Sequence, residues 1–186
     1  MKPLIYLSIV ISLLCTPQTI FAFTVNDPAY QVETYITYDT TNIGRSFDFT
    51  FDSAGNIYIV HTFPDTYTHD GSVLKISTDK TITILRSDLV DPRHIVWTSG
   101  TAFGDNLYIT DKLETATYGY KGEVTKIDLA GNKTPFCGGL NQPASLAIDR
   151  TGNYSDLLYI ANSASDKILN IGPSGGIANT FSNYPY

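Results

Sequence analysis

From residue 45 onward, apolar and polar side chains alternate in short runs, and three of these runs copy one another. They are Gly55-Asn56-Ile57-Tyr58-Ile59-Val60, Asp105-Asn106-Leu107-Tyr108-Ile109-Thr110 and Ser155-Asp156-Leu157-Leu158-Tyr159-Ile160, which set tyrosines at 58, 108 and 159. A strand pattern recurring every roughly 50 residues marks units stacked or arranged radially, each hiding its apolar face against the next.

Each unit resolves into four expected strands. The first places them at 47–51, 57–60, 72–76 and 81–85, with Asp52-Ser53-Ala54-Gly55-Asn56 turning the first hairpin and a longer loop at 61–71. Residues 94–97, 107–110, 123–127 and 133–136 repeat the order, and Pro135 marks the last of them as an edge because proline cannot donate to a ladder. The third set falls at 145–149, 157–161, 167–171 and 177–181. Residues 30–38 alternate well enough for one leading strand. The expected architecture is all-β: a β-propeller of four-stranded antiparallel blades at 45–90, 91–140 and 141–186, preceded by a segment at 23–44.

The start of the chain has a different character. Lys2, an apolar run at 4–14 and the ending Ile20-Phe21-Ala22 read as a secretory signal over 1–22, giving a secreted or periplasmic protein. That run is too short to span a bilayer of roughly 30 Å as a helix, so no stable membrane span is expected after cleavage. The chain carries 12 basic and 18 acidic side chains, net −6, and removal of Lys2 makes it more acidic still. An acidic surface with scattered lysines argues against nucleic acid as a partner. Of two cysteines only Cys137 follows the signal, so no internal disulfide supports the fold. Cys137 is read as a small residue at a strand end before Gly138-Gly139.

Pro143-Ala144-Ser145-Leu146-Ala147-Ile148-Asp149, followed by Asp156-Leu157-Leu158-Tyr159-Ile160-Ala161-Asn162, resembles the repeat of NHL and SMP-30/gluconolactonase-like propellers. Phe103-Gly104-Asp105-Asn106-Leu107-Tyr108-Ile109 is similar to the version in exported bacterial members, and the likeness covers 45–181. The resemblance implies a divalent cation such as calcium at the channel mouth, for which Asp111 and Asn162 supply oxygens of the required type. Arg45-Ser46-Phe47 stands where the enzymes carry a Glu-Gly-Pro-type motif.

In such a fold, the loops after each second strand and those between blades gather around one mouth. This makes His61, Asp111 and Asn162, with Arg45, Arg93, His94, Gln142 and Ser145, the candidate ligand-binding set. Each also has a structural reading: Asp111 and Asn162 as turn caps, Arg93 and His94 paired with Asp88 or Asp91, and His61 as a solvated loop histidine rather than a metal ligand with His69 and Asp70. No His-Glu-x-x-His or phosphate-loop motif is present. Two functions follow as expectations: a binding module for a protein, peptide or glycan, or a metal-dependent hydrolase or lyase completed by further blades or a second copy. Propellers usually close with four to eight blades. Three blades leave two open faces suited to self-association, and two copies would make a six-bladed ring.

Overall fold

Period-two alternation pairs strands only if consecutive runs fold back on one another, and here they do so three times. The computed structural model describes residues 35, 45–62, 71–113, 121–176 and 178–183. The first sheet holds β1 (Arg45–Phe51), β2 (Ile57–Thr62), β3 (Gly71–Ile76) and β4 (Ile82–Leu89). The second holds β5 (Pro92–Thr98), β6 (Asn106–Lys112), β7 (Lys121–Ile127) and β8 (Lys133–Asn141). β9 (Pro143–Ile148), β10 (Leu158–Asn162), β11 (Lys167–Ile171) and β12 (Asn179–Asn183) form the third. All pairings within the sheets are antiparallel and follow chain order. The expected signal at 1–22 lies outside the described residues, as does the strand at 30–38 apart from Tyr35, which is in no strand. Among the described residues no helix is long and apolar enough to cross a membrane.

The strands differ from expectation mainly at their ends. β8 does not stop at Phe136; it continues through Cys137, Gly138 and Gly139 to Asn141, as the outermost strand that Pro135 requires. β2 and β6 extend over His61 and Asp111, which were expected in loops. The turns follow the sequence closely. Asp52 accepts the Ala54 and Asn56 amides at 2.8 and 2.9 Å on one oxygen, and the Asn56 amide group and Tyr58 hydroxyl on the other. Asp128 and Asn132 repeat most of that arrangement between β7 and β8.

The core lies between sheets rather than within them. Tyr58, Val60 and Val73 meet Ile95, Trp97, Leu107, Ile109 and Ile127 between the first and second sheets. Tyr108, Val124 and Phe136 meet Leu146, Leu158, Ile160 and Ile171 between the second and third. The repeated tyrosines serve these junctions: the Tyr58 ring stacks on Trp97 at 6.5 Å, and the Tyr108 ring meets Phe136 edge-on at 4.7 Å. Their hydroxyls return to the first turn of their own sheet, Tyr58 to Asp52, Tyr108 to the Phe103 carbonyl and Tyr159 to the Tyr154 carbonyl. Each ring thereby contributes apolar burial while its polar end stays satisfied.

Fasteners at the two junctions correspond residue by residue. At the inner strands, Asp48 accepts the Ile95 amide at 3.0 Å, and His94 accepts the Leu146 amide at 3.2 Å. Gly71 and Gly122 have no room for a side chain because Pro92 and Pro143 of the following sheet occupy it. At the outer rim, Gly131 sits against the Leu85 carbonyl and Gly175 against the Phe136 carbonyl, both glycines at positive φ.

Gly131→Ala is expected to cost about 2–4 kcal/mol, because a left-handed alanine costs roughly 1–2 kcal/mol and its Cβ must also displace the Leu85 carbonyl. Gly100, also at positive φ, has nothing within 4 Å, so Gly100→Ala should show the conformational cost alone. Denaturant midpoints of the two variants check the difference; equal losses would contradict the rim contact.

Candidate functional site

The ends of the second strands were the expected centre of chemistry, and all three residues there are buried. His61, Asp111 and Asn162 are 2%, 1% and 6% exposed, each at the matching end of β2, β6 or β10. Asp111 takes the Val90 amide on both carboxylate oxygens at 3.0 and 3.1 Å and the Asp91 amide at 2.7 Å. Asn162 Oδ1 accepts the Asn141 amide at 2.7 Å, and its Nδ2 donates to Ser165 Oγ. Val90 and Asn141 each precede their partner by 21 positions. Both side chains therefore hold the link by which the chain enters their own sheet, at a point where backbone amides lack a strand partner. Gln142, at positive φ in the second link, accepts Ser163 through its carbonyl.

Burial pushes the Asp111 carboxyl up to about 6; the Val90 and Asp91 amides pull the other way, and Glu123, its cross-strand neighbour, pushes it further up. Burial likewise lowers the His61 imidazole. Cys137 is buried within β8, and desolvation raises its thiol.

Arg93 and His94 stand side by side in β5 but do different work. The Arg93 guanidinium pairs with Asp91 at 2.5 Å and lies 4.1 Å from the centre of the Phe47 ring. His94 spans the two sheets beside its own. The Leu146 amide donates to Nδ1, so the neutral ring carries its proton on Nε2, which lies 3.4 Å from Asp48 Oδ2. Asp48 and Thr50 were not singled out in the sequence, yet they accept the Ile95 and Trp97 amides. Their alternation with Phe47, Phe49 and Phe51 was visible, but not what the polar positions faced. Arg45 opens β1, and Ser145 is exposed in β9. His69, Asp70, Asp65 and Glu114 lie outside the described residues. Among the described residues, no three His, Cys, Asp or Glu side chains gather into a metal-holding group.

Inner strands in sequential contact, polar links at one end and cores between successive sheets define a known architecture. The sheets are propeller blades. Their arrangement is similar to that of a luciferin-regenerating enzyme (TM-score 0.56, 17% identity, 77% of this chain and 47% of that one). It is also similar to a streptogramin B lyase (0.54, 16%, 75% and 41%) and to a protein assigned as a gluconolactonase (0.53, 12%, 77% and 49%). At such identities the likeness shows the fold alone. The chain spans half or less of the length of these propellers. Neither protein-family models nor curated proteins match the sequence.

A carboxyl with a raised value in the folded blade binds its proton more tightly there than in the unfolded chain. Stability should thus fall as pH rises from about 4 to 6, by at most about 3 kcal/mol, with the full penalty present above pH 6. Asp111→Asn, which puts the Asn162 solution into the second blade, should flatten that segment of the stability–pH curve. An unchanged slope would show that Asp111 is not the group responsible.

Proposed function

We propose that the chain is an exported propeller segment acting as a binding module, with its ligand, a protein, peptide or glycan, held at the mouth formed by the inner strands. The observation that carries this reading is how the polar candidates are engaged. Asp111, Asn162 and His94 direct their acceptor atoms at backbone amides of the blade links and inner strands, so they shape the mouth rather than react in it. Arg93 and Phe47 remain half-buried or exposed there, an arginine on an aromatic face beside Asp91. Such a pairing offers a flat apolar surface with charged donors, a combination suited to sugar rings and to peptide side chains.

The oxygens expected to hold calcium already serve the blade links: both Asp111 oxygens and Asn162 Oδ1 accept backbone amides. The second reading, a hydrolase or lyase, draws its support from neighbours that are a lyase and an assigned gluconolactonase, an argument from fold.

Glycan and peptide arrays probed with the purified chain should give a retained signal that falls at least about tenfold in Arg93→Ala, the equivalent of roughly 1.4 kcal/mol. The melting temperature should barely move, since a half-exposed ion pair contributes about 1 kcal/mol or less. The enzyme reading takes over if calcium raises the melting temperature, a lactone is turned over, and Asp111→Ala abolishes both.

A further inference from the structure

We infer that His94 is an acid-sensitive latch: protonation of its ring releases the inner end of the junction between the second and third blades and tightens the junction between the first and second. The inference goes beyond the binding reading and does not depend on it.

The three inner strands carry Asp48, His94 and Ser145 at one place, opposite Val60, Thr110 and Ala161. Of these, only the histidine becomes a donor on both polar atoms when it gains a proton. Its Nδ1 accepts the Leu146 amide of the third blade at 3.2 Å, and its Nε2 stands 3.4 Å from Asp48 Oδ2 of the first. That same carboxylate oxygen accepts the Ile95 amide at 3.0 Å. One ring therefore reaches both neighbouring blades.

A neutral imidazole offers one donor and one acceptor, whereas the imidazolium offers two donors. The added proton goes to Nδ1, the nitrogen that holds the Leu146 amide. Two N–H groups then face each other across a contact that needs an acceptor, and the hydrogen bond is lost. At the other nitrogen the change is favourable, because an N–H that now belongs to a cation faces a carboxylate and the contact becomes charge-assisted. The first junction gains where the second loses.

Asp48 is the charge that governs the ring. Of the other strands packed against β5, β2 brings Tyr58 and His61, β6 brings Tyr108, Asp111 and Lys112, and β9 brings no ionisable side chain. β1 adds Arg45 at its exposed start. The Tyr58 and Tyr108 hydroxyls are turned to Asp52 and the Phe103 carbonyl, and Asp111 to the Val90 and Asp91 amides. Within β5, Arg93 is paired with Asp91. Among the described residues, Asp48 is the carboxylate within ion-pair distance of His94.

The release is local, since the remaining contacts of the second junction do not involve the ring. At the far end of β5 the Trp97 carbonyl accepts Arg150, and at the outer rim the Phe136 carbonyl accepts the Gly176 amide at 2.8 Å. Tyr108, Phe136, Leu146 and Ile160 keep their apolar contact between these points. Acid thus turns the junction into a hinge, loosened at the link end and closed at the rim.

An imidazole changes charge between about pH 8 and 5. Nuclear magnetic resonance of the isotope-labelled full chain across that range follows the ring and both amides together. As the His94 ring nitrogens charge, the protection of the Leu146 amide, corrected for its intrinsic exchange rate, should fall at least about tenfold while that of Ile95 holds or rises. His94→Asn keeps an acceptor that does not titrate, so its Leu146 protection should stay level. A ring that remains neutral throughout overturns the proposal. So does a charged ring with Leu146 still protected, a loss at Leu146 that Ile95 shares, or an equal loss in His94→Asn. All but the last are read on the wild-type chain, and so survive a variant that fails to fold.

Discussion

The inner strand of each blade has a free edge, and its outward amides need acceptors that no neighbouring strand provides. Everything else at the blade junctions is arranged around that constraint. Asp48, Thr50 and His94 meet it by reaching across to Ile95, Trp97 and Leu146. A hydrogen bond of this kind contributes about 1 kcal/mol net, but leaving a buried amide unmet costs roughly 1–3 kcal/mol. The latches therefore select the angle and register at which blades meet more than they add stability. Apolar burial of Tyr58 on Trp97 and of Tyr108 on Phe136 supplies the larger favourable term.

The same economy of backbone partners explains why the residues with the greatest chemical promise are engaged by backbone amides. A link between blades crosses from the outer strand of one to the inner strand of the next and carries amides that no ladder satisfies. Asp111 takes two of them and Asn162 takes one. The carboxylate does more at a higher electrostatic cost, which is why burial raises its proton affinity while the amides oppose the rise. His94 shows the same pattern, with an amide on one ring nitrogen and Asp48 facing the other. Arg93, paired with Asp91 and lying on Phe47, is held in place without being covered.

Much of the fold was legible in the sequence because it rests on local rules. Asp52 to Asn56 and Asp128 to Asn132 announce their turns by the side chains that close them, and the three tyrosines announce their blades by spacing. Pro135 correctly marked an edge, though β8 runs further, since an outermost strand tolerates the register shift near Phe136. The site was legible only as a set of positions. Whether Asp111 faces a ligand or the Val90 amide depends on contacts between separate elements, and the Asp48–Ile95 latch joins residues 47 positions apart. Neither has a periodicity to betray it. What could have signalled the latch was the polar side chain at 48, 94 and 145, the same place in three successive inner strands.

Amide hydrogen exchange resolved to single residues tests the latch most directly. Ile95 and Leu146 should exchange as slowly as ladder amides in the wild-type chain, and His94→Ala should release Leu146 while Ile95 stays protected by Asp48. Rapid exchange of both amides in the wild type would contradict the account, because the blade junctions would then be held without the side chains assigned to hold them.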